Sequence, residues 1–395
     1  MPKGLSRPLR IALLYPVPYL DSVPAVRNLI VMLAESGAQV DVFVLENGDR
    51  HNPVRFGSGT RVFALPPRPS KGLGSRIPNF LRFLAMAWRG LKGGRERPDF
   101  LIGVDPAGAS AAYLLGKARG IPLIYYSLEI IASYDPKRMY RGYKTLERRA
   151  SHAARHILIQ DEGRARVLAE DNGVPLSKFV YLPNSQLEVE ARPSTTRYFH
   201  EKFGLPPETR IALYAGSISA EFWSRELAAA AAQFPEDWVL VFHSRSRRTL
   251  AELEAFFGFK LNRDRIFISA DPVEASDVAK IFASCDLGFA FYTDLDSPNI
   301  RFIGKSAGKV TSLLMQGKPV IMTSLPGWDK WLFEYSSGVA VRSSGEIPSA
   351  LASIAQDFGR YQAGARRHFA SELRFEPAFH ELLSKIGDFS GKGRT

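Results

Sequence analysis

The sequence has one cysteine, Cys285, in 395 residues. A lone thiol excludes a disulfide framework and fits a reducing compartment. Cys285 lies in a helical apolar run and reads as core. Long hydrophobic runs are also missing: none approaches the roughly 20 residues of a membrane-spanning helix. The segment closest to a signal peptide is Ile11–Leu20, behind Lys3, Arg7 and Arg10. It contains Pro16 and Pro18 and runs into Asp21, so a first buried strand is the better reading. Histidine is scarce. His152 and His156 stand one helical turn apart, but no carboxylates accompany them, so no metal is expected. Short repeats and low-complexity tracts are absent.

What is present is an ordinary globular composition, 45% apolar and 23% charged, with an uneven net charge of +12. Residues 1–190 carry 27 Lys+Arg against 17 Asp+Glu, and the remainder is nearly balanced. Within Arg61–Arg97, nine basic residues face one acid, Glu96. Nucleic acid and an anionic membrane are the two natural partners of such a patch. No recognised nucleic-acid-binding motif accompanies it, which leaves the membrane as the expected surface and nucleic acid as no partner.

Short apolar runs alternate with helical ones along the first half. Strands are expected at Ile11–Tyr15, Val40–Leu45, Phe100–Val104, Ile121–Tyr126, His156–Gln160 and Phe179–Leu182. Helices lie between them, among them Val23–Ser36, Ala107–Ala118 and Glu162–Glu170. The alternation implies a parallel sheet covered on both faces. The proline-containing stretch 191–208 reads as a linker, and the pattern then restarts with strand Ile211–Tyr214. The expected architecture is α/β, with two doubly wound Rossmann-like domains facing a central cleft. Residues 1–190 form the acceptor- and membrane-facing domain and 209–370 the donor domain. Residues 371–395 hold a C-terminal helix, a candidate for packing back on the first domain, and a tail. Doubly wound domains bind ligands beyond the carboxyl ends of their strands.

The stretch Ser306–Ile321 organises the second half. Val310, Leu313 and Leu314 share one helical face, while Lys309, Ser312 and Gln316 fall on another. Gly317 ends the helix before a buried strand. Gly308 and Lys309 therefore sit at a helix N-terminus, where free N–H groups and the macrodipole favour an anion. A diphosphate is the expected ligand. In the first half, Ile77–Leu91 places Phe80, Leu81, Leu84 and Trp88 near one side, flanked by Arg76, Arg82, Arg89 and Lys92. Two readings stay open: a helix lying in a membrane interface, or an amphipathic helix packed on the core.

Several stretches together resemble a glycosyltransferase of the two-Rossmann (GT-B) fold. They are similar above all to the bacterial family 4-like enzymes of polysaccharide and glycolipid assembly. The matching pieces are Pro98–Pro106, Ile121–Glu129, Leu146-Glu147, Gln160–Glu162 and Leu182–Ser185. They continue with Tyr214–Ser219, Arg225, Ala283–Ala290 and the Gly308-Lys309…Gly317 stretch. The resemblance implies a nucleotide-sugar donor and a lipid-linked or saccharide acceptor, with no metal cofactor. It places the enzyme in the cytoplasm, on the inner face of the membrane. Lys309 and Arg225 would neutralise the leaving diphosphate. Gly216, Ser217, Ser306, Gly308 and Ser312 would complete the donor site. Arg225 reads equally as a solvated helix residue. Asp294, Asp296 and Asn299 are candidates for the donor sugar or for a turn. Glu129 and Asp105 are the candidate catalytic carboxylates, either able to act as a general base in an inverting reaction; Asp105 reads equally as a helix cap.

The chain departs from the family's two-glutamate motif. Gly304 and Ser312 stand where relatives carry the acids, and Leu128 replaces a histidine before Glu129. Two rival readings follow: a catalytically degenerate partner subunit, and a sugar-nucleotide epimerase of the same fold.

Overall fold

The computed structural model describes residues 7–392, except for 19, 21–22, 47–55, 67–75, 94–96, 132–139, 189–195, 245–247, 271–272, 274–277 and 294–295. The chain divides into two compact units. One holds residues 1–184 and 375–395, the other 185–374.

The first unit is built on a seven-stranded parallel sheet in the order β3-β2-β1-β4-β5-β6-β7. Its strands are β1 (Arg10–Tyr15), β2 (Gln39–Leu45), β3 (Thr60–Leu65), β4 (Phe100–Val104), β5 (Leu123–Tyr126), β6 (His156–Ile159) and β7 (Phe179–Tyr181). The connecting helices are α1 (Pro24–Glu35), α2 (Arg76–Gly93), α3 (Asp105–Arg119), α4 (Tyr140–Ala153) and α5 (Glu162–Asn172). The central strands are buried on both faces and read as continuous apolar runs, as parallel strands do. Edge strand β3 is half exposed, and its apolar run, Val62–Leu65, is short and lies in a basic, proline-rich stretch; it was not among the expected strands.

Helix α3 lies close against the sheet because its inner face is small. A Cβ at Gly108 would overlap the Leu14 carbonyl, and one at Gly103 would overlap the Gly108–Ala109 backbone. Close approach of this kind needs glycine.

The second unit repeats the plan with six parallel strands, β10-β9-β8-β11-β12-β13. They are β8 (Arg210–Ala215), β9 (Trp238–His243), β10 (Ile266–Ser269), β11 (Leu287–Ala290), β12 (Val320–Thr323) and β13 (Gly338–Val341). Its helices are α6 (Tyr198–Phe203), α7 (Ser224–Ala230), α8 (Leu250–Phe257), α9 (Val278–Ala283), α10 (Pro298–Arg301), α11 (Gly308–Met315), α12 (Trp328–Tyr335), α13 (Ile347–Gln356) and α14 (Phe358–His368). The strand order reverses between β8 and β11, as it does between β1 and β4 in the first unit. Helix α11 packs directly on β11, where a Cβ at Gly288 would overlap Leu313. Gly317, at φ +66°, closes that helix.

Within the expected linker, Tyr198–Phe203 form α6. Phe199, in α6, is fully buried in the core of the second unit. Phe203 packs on Phe267 with ring centroids 4.9 Å apart. Aromatic anchors, rather than the neighbouring prolines, decide the state of this stretch. Helix α15 (Phe375–Lys392) counts with the first unit, against α1 and β7.

Candidate functional site

In the second unit, the carboxyl ends of β8 and β11 flank the point where the strand order reverses. Ligands of doubly wound sheets bind at such a crevice. Beyond β8 the chain turns at Gly216, whose φ of +148° disfavours any residue with a side chain. Lys309 approaches this turn from the first turn of α11. A Cβ on Gly216 would stand 3.3 Å from the Lys309 Nζ.

Three aromatic rings surround the Lys309 ammonium. Their centroids lie 5.0 Å (Tyr214), 5.1 Å (Tyr292) and 5.8 Å (Phe222) from Nζ. The Tyr214 hydroxyl donates to the Ser217 carbonyl at 2.9 Å, which fixes the ring and the turn together. The Tyr292 N–H donates to Thr323 Oγ1, also at 2.9 Å. Ring faces attract a cation, but they do not replace water or a counter-ion. Burial accordingly pushes the lysine pKa down to about 8. No carboxylate among the described residues pairs with Nζ.

The α11 N-terminus adds donors. Val310 and Thr311 both donate to the Ala307 carbonyl. The Gly308 and Lys309 N–H groups have no hydrogen bond among the described residues, and Ala307 provides no side-chain cap. The Lys309 ammonium thus meets the glycine turn, and the helix that carries it begins with two unbonded N–H groups, features suited to phosphate oxygens.

The remaining expected donor-site residues fall in different places. Ser217 is exposed beside the turn. The Ser306 hydroxyl donates to the Ile303 carbonyl at 2.6 Å. Ser312 is only 4% exposed and turns into the unit rather than outward, contrary to its expected polar face. The contacts of Arg225 are with α8. Its Nε donates to the Phe256 carbonyl at 2.7 Å and its guanidinium lies 4.4 Å from the Phe256 ring centroid. Asn299 lies in α10, and Asp294 lies outside the described residues.

The structure explains the missing acid at position 304. A Cβ at Gly304 would overlap the indole Nε1 of Trp328, which is buried over it. No side chain fits there while Trp328 keeps its place.

In the first unit, Asp105 stands at the end of β4, beside the β1/β4 reversal. Its φ is +57°, a left-handed conformation that aspartate tolerates better than most residues. Its Oδ1 accepts the N–H groups of Leu128 (2.8 Å) and Glu129 (2.9 Å) at the end of β5. Burial pushes its carboxyl up to about 7, against the pull of those two hydrogen bonds; the Glu129 charge raises it further. Glu129 is exposed at the surface. The protein around its carboxyl raises its pKa by desolvation, and Arg164 works in the opposite direction. The buried Arg164 also donates to the Leu128 carbonyl. Asp105 thus joins the ends of β4 and β5. It accepts no N–H of its own helix α3, so it is not that helix's side-chain cap.

The basic helix α2 packs on the first unit through part of the row expected to face outward. Phe80 and Trp88 are not outward anchors: both pack on the core of the first unit. Phe80 meets Tyr143 edge-on at 5.7 Å, and the Trp88 ring lies under Lys92 and Arg119 at 5.3 and 5.4 Å. The outward row is Leu81, Arg89 and Lys92, with Leu81 58% exposed. Arg82 is half-buried and donates to Asn79 Oδ1. Arg76 begins the helix, and its side chain is outside the described residues. No helix among the described residues is long and apolar enough to cross a membrane.

Sequence reasoning missed the Tyr214–Phe222–Tyr292 cage and Trp328. The available signal was a tyrosine at the end of two apolar strands, which periodicity assigns to the core.

Residues 22–185 match the family described as glycosyl transferase 4-like domain. No curated protein matches the sequence. Sucrose-phosphate synthase from Thermosynechococcus elongatus is similar in structure over 97% of this chain and 99% of its own, with a TM-score of 0.73 and 15% identity. HepE from Anabaena, in complex with UDP and glucose, aligns over 96% of this chain and 99% of its own, with a TM-score of 0.67 and 14% identity. WaaG, a glycosyltransferase involved in lipopolysaccharide biosynthesis, aligns over 95% and 99%, with a TM-score of 0.64 and 14% identity. The fold is GT-B.

Proposed function

We propose that this GT-B glycosyltransferase moves a sugar from a nucleotide-diphosphate donor to a lipid-linked or saccharide acceptor at an anionic membrane surface. One observation carries the reading: the caged Lys309 ammonium, without a carboxylate partner among the described residues, beside two free helix N–H groups and the Gly216 turn. An ammonium left without a counter-ion in such surroundings gains most from a bound anion. When the bond from the anomeric carbon to the phosphate oxygen breaks, negative charge grows on the leaving diphosphate. Lys309 and the α11 N–H groups stabilise that charge.

The acceptor hydroxyl oxygen forms the new bond to the anomeric carbon. Its proton leaves to a base. Asp105, with a carboxyl near 7, has the basicity to receive it at neutral pH, and Glu129 is the neighbouring carboxylate. UDP is the first nucleotide to test, since HepE is seen with it. The membrane reading rests on the nine basic residues of Arg61–Arg97 and the exposed row Leu81, Arg89 and Lys92. The proposed location is the inner face of the cytoplasmic membrane.

A second reading is a non-catalytic partner subunit. The buried Ser312 and the indole over Gly304 favour it, because neither position offers an acid. Calorimetry with UDP, GDP, ADP and CDP tests the donor site. We expect one of the four to bind, and Lys309→Ala to weaken it about tenfold or more, as loss of a charged phosphate contact does. No binding by any of them, or unchanged binding by the variant, overturns the assignment. Binding without turnover of the corresponding nucleotide-sugar favours the partner-subunit reading.

A further inference from the structure

Three polar side chains hold the segment that follows β5. Asp105 Oδ1 accepts the Leu128 and Glu129 N–H groups at 2.8 and 2.9 Å. The Gln160 amide donates to the Ser127 carbonyl at 3.0 Å, and the Arg164 guanidinium donates to the Leu128 carbonyl. Leu128 is thus held from both sides of its backbone, its N–H by Asp105 and its carbonyl by Arg164. Gln160 directly follows β6, and Arg164 stands in the first turn of α5, so both reach the segment from the connection after the neighbouring strand. Asp161 caps α5 by accepting the Arg164 N–H at 3.0 Å.

Gln160 and Arg164 bind adjacent carbonyls, and both are buried, Arg164 to 1% exposure. A neutral amide suffices for the first. A guanidinium costs far more to bury than an amide, so the Leu128 carbonyl by itself does not account for a charge at position 164. Two carboxyl groups do. The Arg164 charge acts on both Asp105 and Glu129, and in each it opposes the desolvation that raises the carboxyl pKa. Other groups face the cluster as well. Asp161 faces the guanidinium from the start of α5 and Tyr125 faces it from β5, while Tyr126 faces Asp105. The Tyr125 hydroxyl is given to Glu147, which Lys144 pairs at 3.1 Å.

We infer that Arg164 is the positioning residue of the proposed catalytic pair: it fixes the 127–129 segment against Asp105 and supplies the positive charge that lets one carboxylate of the pair stand ionised beside the other. This rests on the reading of Asp105 as the base and deepens it. Two carboxyl groups in one desolvated place do not both ionise at neutral pH without such a charge. With Arg164 present the Asp105 carboxyl stands at about 7. Without it the group holds its proton at the pH where it has to accept one.

The test is carboxyl titration by carbon NMR on the full chain, labelled at the aspartate carboxyl carbon, with Asp105→Asn identifying the Asp105 signal. In Arg164→Gln, which keeps a donor and loses the charge, the Asp105 midpoint is expected to rise by about one pH unit or more. Arg164→Lys, which keeps the charge, is expected to move it by less than about half a unit. The pH at which transfer reaches half its maximum is expected to shift with the midpoint. A merely structural role lowers the melting temperature of both variants alike and leaves the midpoint in place, and that result overturns the inference. Arg164→Met, apolar and of similar length, takes the place of Arg164→Gln if the latter does not melt cooperatively. If neither neutral variant folds while Arg164→Lys does, the charge is a folding requirement and the inference fails. If Asp105→Asn slows transfer but the midpoint stays in the neutral variant, this inference alone fails. If the midpoint moves but Asp105→Asn transfers sugar at the wild-type rate, the base reading fails and takes the positioning role of Arg164 with it.

Discussion

The Lys309 ammonium and the Gly216 turn are packed so closely that a Cβ on the glycine would come within 3.3 Å of Nζ. Position 216 also has a φ of +148°. Gly216→Ala therefore carries two separate penalties, backbone strain and displacement of the lysine. We expect it to lower stability by about 1 kcal/mol or more and to weaken nucleotide binding as well. Thermal melting and calorimetry measure the two effects, and a variant that binds like wild type contradicts the proposed site.

Binding is expected to depend on pH through Lys309. Burial lowers its pKa to about 8, and the bound anion favours the charged form. Above pH 8 the free protein must take up a proton to bind, so affinity falls as pH rises from 7 to 9.5. Calorimetry in buffers of different ionisation enthalpy reads that proton directly. The same shift has a consequence for folding. Between about 8 and the unfolded value of 10.5 the unfolded chain binds more protons at this group than the folded one. This contribution to stability therefore rises with pH across that window.

Asp105 makes the opposite kind of prediction. Its carboxyl is raised to about 7 from an ordinary 3.8, chiefly by burial. If it takes the acceptor proton, transfer accelerates between pH 6 and 8. Asp105→Asn keeps an oxygen for the Leu128 and Glu129 N–H groups and tolerates the positive φ. We expect it to slow transfer about 100-fold or more while nucleotide affinity stays within about twofold. In folding, the native state holds the extra proton between 3.8 and about 7, so this contribution to stability falls as pH rises through that window.

Restoring an acid at position 304 is expected to fail. The Trp328 indole already occupies the space a side chain would need. Gly304→Ala should cost roughly 1–3 kcal/mol from overpacking. Gly304→Glu should recover stability only when combined with Trp328→Ala. Urea denaturation of the three variants tests this; a stable Gly304→Glu single variant shows that the indole yields.

The revised outward face of α2 separates two sets of residues. Arg89→Glu with Lys92→Glu should reduce binding to anionic vesicles about tenfold or more, with little change in stability. Trp88→Ala should instead cost about 2 kcal/mol of stability, because its ring packs on the core. Vesicle flotation beside thermal melting distinguishes them.

The alternation of apolar runs made the two parallel sheets legible, because strands buried on both faces have a continuous apolar signature. It did not reveal β3, whose edge position leaves it half exposed. It misjudged α6, where two phenylalanines outweigh a proline-rich context. Gly308-Lys309 was legible as a helix start carrying a lysine, because both are local features. The cage around it was not, since Tyr214, Phe222 and Tyr292 come from separate segments that meet only at the β8/β11 reversal.

By itself the sequence determined the class of fold, the basic first half, the lysine at a helix start and the missing acids at 304 and 312. The first three follow from composition, period and spacing along the chain, and the missing acids from comparison with the motif of the family it resembles. Only the tertiary structure decided what each charge faces. It turned Phe80 and Trp88 inward and drew Arg225 onto Phe256. It also filled the space at Gly304 with Trp328. The reason is physical: burial and long-range neighbours set the pKa and direction of a side chain, and neither is encoded in its local sequence.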